Sequence, residues 1–244
     1  MKQKIKYEQL ANDLVNWMRK IVFDANCKGI VYGLSGGLDS SVIAALAKKA
    51  FGNESLAIIM PCHSIDKDKI DALKVINALD IPFTEVDLTT VYDEMVKNIK
   101  DYNNNLAYSN IKPRLRMTTL YYYAQSLGYL VCGSSNLSEY YIGYFTKHGD
   151  SGVDLLPLIN IPKSYLYGFA KYLQIPDDII NKKPSAGLWE GQSDEDEIGF
   201  TYDEIDEYIL NKNGDENLKD RISNMHNNTA HKRVLPPAFD KYFD

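Results

Sequence analysis

The sequence predicts an α/β fold in which a parallel β-sheet is flanked by helices on both faces. Two observations predict it: short buried apolar segments alternate with segments of helical periodicity, and the alternation continues from the first predicted strand to about residue 150. Parallel strands that follow one another in this way are joined by right-handed crossovers, which lay the helices on the faces of the sheet. With 244 residues, the chain is long enough to bury a substantial core.

The first elements follow from the spacing of their apolar residues. From about Ile5 to Asn26 these residues recur at helical intervals, which predicts an amphipathic helix. Gly29–Gly33 has the composition of a short buried strand, whereas Ser40–Ala50 is rich in strong helix formers. A second strand is predicted at Leu56–Met60, and Pro61 ends it.

The alternation continues beyond the second strand. A helix, a third strand, two neighbouring helices and a fourth strand are predicted at 66–79, 83–87, about 89–100, about 114–127 and 129–133. The Asn-rich stretch Asp101–Asn110 separates the two neighbouring helices, and another helix begins near Leu137. Four strands are therefore expected in the sheet.

The pattern changes after about residue 150. One helix is expected at Ile161–Leu173 and another at 203–228. Between them, Lys182–Ile198 is rich in Gly, Ser, Asp and Glu, which predicts a loop. Composition alone favours an ordinary surface loop here, although a lid that closes over bound ligands would have the same composition.

Charge and cysteine content limit the classes of function. The formal charge of −6 argues against a broad nucleic-acid surface, because such surfaces need clustered Lys and Arg. Cys27, Cys62 and Cys132 are an odd, widely spaced set without a CxxC pair, which predicts neither a disulfide framework nor a zinc site. No signal peptide is readable, and no stretch is apolar enough to cross a bilayer. We therefore expect a cytoplasmic enzyme or binding protein with no nucleic-acid or membrane partner.

Three short segments that follow predicted strands are the first candidates for a binding site. Ligands of parallel sheets bind outside the carboxyl ends of the strands, at the point where the strand order reverses. This rule nominates Leu34–Asp39, Pro61–Ser64 and Ser134–Asn136.

The segment Gly33–Ser41 reads Gly-Leu-Ser-Gly-Gly-Leu-Asp-Ser-Ser and lies between a predicted strand and a predicted helix. Free N–H groups at a helix N-terminus receive phosphate oxygens, and Gly36 and Gly37 let the backbone approach a ligand closely. The alternative is a turn that only caps the helix, but one or two Ser or Asp residues would suffice for that. The Lys of a Walker A loop, which stabilises a transferring γ-phosphoryl group, is absent from this segment. Its absence fits a loop that holds pyrophosphate as a leaving group.

Two groups of motifs carry a family resemblance. Ser35–Ser40 looks like the SGGxDS pyrophosphate loop of the ATP pyrophosphatase superfamily. Gly133–Asp150, with its Gly-Tyr-Phe-Thr-Lys-His-Gly-Asp ending, and Asp154–Leu158 resemble the signature of the NAD synthetases. Lys183–Asp194 and the pair His231-Lys232 are similar to later motifs of that family.

The matches run in the expected order over residues 33–232. The resemblance implies a Rossmann-like fold of the adenine nucleotide alpha hydrolase type. It also implies a single NAD synthetase domain over 1–244, divided into a core at about 28–180, a lid loop at about 182–198 and a helical C-terminal part at about 200–244.

The resemblance assigns residues to ATP and to a metal ion. Asp39 and Glu139 fall at positions that bind Mg²⁺, and Ser134 and Ser185 stand where many relatives carry Thr. The positions implied to contact ATP are Gly33, Leu34, Ser35, Gly36, Gly37, Leu38, Asp39, Ser40, Ser134, Lys163 and Ser185.

The resemblance also implies the reaction. ATP and ammonia convert deamido-NAD (nicotinic acid adenine dinucleotide) into NAD through an acyl-adenylate, with release of AMP and pyrophosphate, as the final step of NAD biosynthesis. A homodimer with the dinucleotide at the subunit interface is implied too. Asp39, Lys163 and Asp154 are the implied catalytic residues. The positions implied to hold deamido-NAD are Arg114, Lys147, Asp154, His231 and Lys232.

Free ammonia is the expected nitrogen donor. Only about 28 residues precede the first predicted strand, which leaves no room there for a fused glutaminase domain. A separate glutaminase partner stays open as an alternative.

Several residues have a second interpretation. Glu139 follows Asn136 by three residues, which also fits a capping box, and Lys147 and Lys163 taken alone would be solvated charges. Asp154 would either cap a turn, orient ammonia or take a proton from ammonium. Rival functions are a GMP synthetase ATPase domain, a tRNA thiolase, or a nucleotide-binding sensor that has lost catalysis.

Overall fold

The computed structural model describes residues 6–185, 191 and 193–239. Within these residues four parallel strands form one sheet in the order β3-β2-β1-β4. The strands are β1 Gly29–Gly33, β2 Ser55–Ile59, β3 Phe83–Glu85 and β4 Tyr129–Val131. In the register, Ile30 of β1 pairs with Ser55 on one side and Leu130 on the other. Successive strands run outward from β1 to β3 on one side, and β4 lies on the other side, so the strand order reverses between β1 and β4. The predicted fold class is confirmed.

Helices cover both faces of this sheet. Their bounds are α1 Tyr7–Asp24, α2 Leu38–Phe51, α3 Asp66–Leu79, α4 Thr89–Asn98, α5 Asn105–Ser109, α6 Ile111–Leu127, α7 Leu137–Ile142, α8 Lys163–Tyr172, α9 Asp177–Ile180, α10 Asp194–Ile198, α11 Tyr202–Asn211, α12 Glu216–Asn228 and the short 3₁₀ helix Ala230–Lys232. No helix of the described residues is long and apolar enough to span a membrane.

The side chains of β1 show how the two faces are filled. Ile30 and Tyr32 pack into the cluster formed with α1, α2 and α8, whereas Val31 packs into the cluster on the opposite face with Leu120 of α6. This alternation follows from the two-residue period of a strand. A third apolar cluster joins α7 to α10, α11 and α12. The C-terminal helices thus pack against the short helix that begins at Leu137.

The C-terminal region differs from the prediction in two respects. The single helix expected at 203–228 is two helices, because Lys212 adopts a left-handed conformation and Asp215 starts a new helix by accepting a hydrogen bond from Leu218 N. The loop expected at Lys182–Ile198 contains α10, which is stabilised by the burial of Ile198. Residues 186–190 and 192 of this predicted lid lie outside the described residues.

Two smaller differences concern helices that the sequence pattern missed. The Asn-rich stretch contains α5, which Asn104 caps by accepting a hydrogen bond from Ala107 N. The short helix α9 follows Pro176 and buries Ile179 and Ile180. Both helices have five residues or fewer, which is too short to show the periodicity of an amphipathic helix.

Gly36 determines how closely the loop after β1 approaches α3. Its φ is +73°, and a Cβ built there would lie 2.7 Å from Asp68 O and from Ala72 N. We expect Gly36→Ala to reduce the free energy of unfolding by roughly 2–4 kcal/mol, because it adds backbone strain and a clash with backbone atoms. Urea unfolding measures this loss.

Gly128→Ala is the matched control for Gly36→Ala. Gly128 also has a left-handed conformation, with φ +69° and ψ +41°, but nothing lies within 4 Å of an added Cβ. Gly128→Ala adds only backbone strain and no clash, so the control should be destabilised less. Equal losses in the two variants would show that contact with α3 does not limit position 36.

Candidate active site

The loop between β1 and α2 is held in shape by its own hydroxyl groups. The Oγ atoms of Ser35 and Ser40 are 3.0 Å apart, and Ser41 Oγ donates to Gly37 O at 2.7 Å. In the described part of the chain no side chain caps the N-terminus of α2, where Gly37 is the capping residue. The first N–H groups of this 14-residue helix therefore face the end of the sheet. These groups carry the positive end of the helix dipole. This geometry suits a phosphate group.

Three charged side chains meet beside this loop. Asp39 lies in the first turn of α2, Glu139 in the first turn of α7, and Lys163 is the first residue of α8. The Lys163 ammonium forms ion pairs with Asp39 Oδ2 and, at 3.3 Å, with Glu139 Oε1. The side chain of Lys163 is only 4% exposed, and each carboxylate is 17% exposed. Three helix N-termini thus converge on one ammonium group.

Asn136 connects two of these helices. Its Nδ2 donates to Asp39 Oδ1 at 3.0 Å, and its Oδ1 accepts from Glu139 N at 3.0 Å. Glu139 Oε2 in turn accepts from Asn136 N, which completes a capping box. The capping box expected as an alternative role for Glu139 is therefore present, and it leaves Oε1 directed at Lys163.

Burial determines the electrostatics of this cluster. Burial raises the pKa of Glu139 to about 7, although Lys163 counteracts the rise, and the nearby carboxylates of Asp39 and Asp194 add to it. Burial alone would lower the pKa of the Lys163 ammonium, but the charges of Asp39 and Glu139 raise it above its ordinary value. The three groups are therefore mutually dependent: Lys163 favours the charged form of the carboxylates, and the carboxylates favour the charged form of Lys163.

The same two carboxylates fit a magnesium ion. Within the described residues no group of three or more His, Cys, Asp and Glu side chains is arranged to hold a metal ion. Mg²⁺ usually takes one or two protein carboxylates and completes its shell with substrate phosphates and water. Asp39 and Glu139 supply such a pair next to the loop between β1 and α2, and the Lys163 ammonium lies between their carboxylates.

A cleft of about 780 Å³ opens from this cluster, within the ordinary size range of a small-molecule site. Apolar side chains such as Ile59, Met60 and Leu120 form one wall, and Arg116 adds a cation. Every position that the resemblance assigns to ATP lines the cleft except Gly36, which packs against α3 instead.

Comparison with known proteins shows the family. A family model described as NAD synthase matches residues 10–236. The chain belongs to the NAD synthase family. It is 50% identical over 236 residues to an NH₃-dependent NAD⁺ synthetase from Finegoldia magna, and the match covers 97% of this chain and 98% of that protein.

Two solved structures similar to this NAD synthase family member belong to enzymes with different names. An NMN synthetase from Francisella tularensis has a TM-score of 0.93 and 38% identity, and the match covers 98% of this chain and 100% of that one. An NH₃-dependent NAD synthetase from Campylobacter jejuni, solved with nitrate, has a TM-score of 0.82 and 27% identity over 97% of this chain and 100% of that one. The family resemblance inferred from the motifs is confirmed.

The positions that the NAD synthase resemblance assigns to the dinucleotide form a second group. Arg114 donates to Lys147 O at 3.3 Å, and Lys147 Nζ donates to His231 O at 2.7 Å. Lys232 Nζ donates to the carbonyls of Gly143 and Phe145, at 2.7 and 2.8 Å. The structure thus joins Arg114, Lys147 and the C-terminal pair, and Lys232 lines the main cleft as well.

Asp154 lies apart from the charged cluster of this NAD synthase family member. Its carboxylate accepts from Tyr121 Oη at 3.0 Å and from Val131 N at 2.8 Å, and it is not among the described residues that line the main cleft. Burial and the Asp154 charge raise the pKa of Tyr121 to about 12. The role of Asp154 near the activated carbonyl, which the resemblance implies, stays a prediction.

Sequence reasoning missed the aromatic residues that connect α10 and α11 to the cluster. Tyr202 Oη lies 3.4 Å from Glu139 Oε1 and 3.1 Å from Asp194 Oδ2, and the Lys163 ammonium lies 5.1 Å from the centre of its ring. Tyr144 Oη donates to Asp194 and to Glu197. The pattern Thr201-x-x-Glu204 signals the start of α11, but nothing local shows where Tyr202 points.

Proposed function

We propose that the chain is an ammonia-dependent ligase that converts the nicotinate carboxylate of deamido-NAD into the amide of NAD, with ATP as co-substrate. This reaction is the final step of NAD biosynthesis. The observation that carries the proposal is the meeting of Lys163 with Asp39 and Glu139 beside an uncapped helix N-terminus. The family and the NH₃-dependent NAD⁺ synthetases among its relatives support it.

The chemistry explains why ATP is needed. Ammonia cannot expel oxide from a carboxylate, so the carboxylate must first acquire a leaving group. A carboxylate oxygen attacks the α-phosphorus of ATP, the bond from that phosphorus to the bridging oxygen breaks, and pyrophosphate departs. Ammonia then attacks the acyl carbon of the adenylate, loses a proton, and AMP departs with the former carboxylate oxygen.

Each residue of the cluster has a role in the proposed adenylation. The loop 34–37 and the first turn of α2 hold the departing pyrophosphate. Lys163 neutralises negative charge that accumulates as the two anions approach. Asp39 and Glu139 hold Mg²⁺, which supplies further positive charge to the phosphates when it is bound.

The proposed nitrogen source is free ammonia. The relatives that support this are named as NH₃-dependent enzymes. Asp154 orients ammonia or accepts its proton in this proposal, and its carboxylate is held by hydrogen bonds from Tyr121 Oη and Val131 N.

Exposed apolar side chains support the proposed homodimer. Exposed apolar side chains lie on α4, α5 and α6 at Val91, Met95, Leu106, Tyr122 and Leu127. Apolar side chains that are exposed on neighbouring helices are a feature of protein–protein contact surfaces. Light scattering at assay concentration should give twice the mass of one chain, and a pure monomer with full activity would exclude the shared site.

A second candidate substrate follows from one observation. The NMN synthetase from Francisella tularensis superposes with a TM-score of 0.93, higher than the 0.82 of the Campylobacter jejuni NAD synthetase. An NMN synthetase would amidate the acid form of a mononucleotide by the same chemistry. The alternative is therefore amidation of nicotinic acid mononucleotide rather than of the dinucleotide.

Product analysis tests both candidates. Purified enzyme receives ATP, Mg²⁺ and ammonium with either deamido-NAD or nicotinic acid mononucleotide, and AMP, pyrophosphate and the amide are measured. We expect equal amounts of the three products and a higher kcat/KM for the dinucleotide. A higher kcat/KM for the mononucleotide would establish the second candidate, and formation of ADP and orthophosphate would exclude adenylation.

A further inference from the structure

Helix α11 carries a buried carboxylate that the proposed reaction does not use. Asp206 is 3% exposed, and Tyr202, one turn earlier on the same face of the helix, is equally buried. A buried carboxylate is costly unless its oxygens accept hydrogen bonds, so its partners show what it does.

Asp206 connects the beginnings of α7 and α8. Its Oδ2 accepts from Ser164 N at 2.9 Å, and its Oδ1 accepts from the hydroxyl of Ser138. The same Ser138 hydroxyl accepts from Lys163 N at 2.9 Å. Both groups of contacts lie in first turns of helices, where backbone N–H groups lack partners within the helix.

These contacts place the backbone of two site residues. Ser138 immediately precedes Glu139, and Ser164 immediately follows Lys163. One carboxylate therefore holds the first turn of α8 against the first turn of α7, and so sets how far the Lys163 ammonium lies from Glu139 Oε1, 3.3 Å in this structure. Tyr202 reinforces the arrangement by its contact with Glu139.

We propose that Asp206 is a positioning residue that holds the Lys163 and Glu139 side chains in the geometry needed for adenylation. The proposal rests on the function proposed above for that cluster. Asp206 touches neither Lys163 Nζ nor a carboxylate of the cluster, and it acts through Ser138 and the first turns of α7 and α8. Partners of this kind typically change metal affinity or activity by 10–100-fold when they are lost.

Asp206→Asn is the first test, because it keeps the size of the side chain and replaces one accepting oxygen by a donor. We expect kcat to fall by roughly 10–100-fold with KM for ATP nearly unchanged. Affinity for Mn²⁺ in the presence of ATP, read by electron paramagnetic resonance, should fall as well, because Glu139 loses its fixed position. Both measurements are made at a temperature where circular dichroism shows a folded variant.

Two further variants complete the experiment. Asp203→Asn is the matched control, since Asp203 is an exposed aspartate on the same helix, and it should behave as wild type. Ser138→Ala removes the hydroxyl that joins Asp206 to Lys163 N but keeps the contact with Ser164, so kcat should fall in the same direction. Ser138→Ala serves as the test if Asp206→Asn does not fold.

The outcomes separate this inference from the proposed function. A variant with reduced stability but with wild-type kcat and Mn²⁺ affinity would overturn the positioning role. If the wild-type enzyme released no AMP with deamido-NAD or the mononucleotide, the proposed function would fail, and the Mn²⁺ affinities of wild type and variant would still decide whether Asp206 positions the cluster.

Discussion

Replacing Asp39 by asparagine should lower kcat by roughly a hundredfold to a thousandfold, the usual effect of losing one preorganised electrostatic group. Asp39 pairs with the Lys163 ammonium through Oδ2 and accepts from Asn136 through Oδ1. Asparagine keeps the size of the side chain but removes the negative charge that attracts both Lys163 and Mg²⁺. The rate of AMP formation at saturating substrates measures the effect, and circular dichroism checks the fold.

Asp177→Asn is the control for this variant. Asp177 also lies in the first turn of a helix, but it is exposed and is not among the described residues that line the main cleft. Its replacement should leave kcat unchanged. A near-normal kcat for Asp39→Asn would mean that neither metal binding nor the contact with Lys163 limits the reaction.

The second large effect is expected for Lys163→Met, which keeps most of the side-chain volume and removes the charge. We expect kcat to fall by roughly a hundredfold or more, because the positive charge that Lys163 places against the approaching anions is lost. Stability should change as well, since truncating one partner of a buried ion pair leaves the other charge uncompensated. Enzyme assays and urea unfolding measure the two effects.

The stability of this variant should depend on pH in a defined direction. In the wild type the pKa of Glu139 is raised from 4.5 to about 7. The contribution of the Glu139 carboxyl group to stability is therefore fully present below pH 4.5, and it is lost as the pH rises through about 7. Without Lys163, which lowers that pKa, the charged carboxylate becomes more costly. Lys163→Met should therefore lose more stability relative to wild type at about pH 8 than at about pH 6.

Lys163→Arg separates charge from geometry. Arginine keeps the positive charge but has a planar group on a different stem, so the pH dependence of stability should stay close to wild type while kcat falls. If Lys163→Met lost the same stability at both pH values, the carboxylates would not depend on Lys163 for their charge balance.

Local patterns predicted much of the site. The strand–turn–helix at Gly33–Ser41 could be inferred because a buried strand, two adjacent glycines and a helix former follow each other directly. The capping box of Asn136 and Glu139 was visible as a three-residue spacing. The break between α11 and α12 was not predicted. The sequence Lys-Asn-Gly-Asp at Lys212–Asp215 is typical of a turn, but helical periodicity on both sides of it favoured one continuous helix.

Long-range contacts could not be predicted in this way. Tyr202 lies 63 residues from Glu139 in the chain, and Asp206 lies 68 residues from Ser138. These pairs meet because α11 buries Tyr202 and Ile205 in the apolar cluster with Ile142 of α7. Helical periodicity shows that α11 has a buried face, but it does not show which helix covers that face.

The sequence by itself determined the alternation of strands and helices, the strand–turn–helix at Gly33–Ser41, the capping box and the family. These depend on interactions among residues that are close in the chain, or on motifs that can be read in order. Only the tertiary structure decided that Lys163, 124 residues from Asp39, lies between Asp39 and Glu139, and that Asp154 is not among the described residues that line the main cleft. Burial of apolar faces sets these positions, because it acts between any two segments regardless of their separation in the chain.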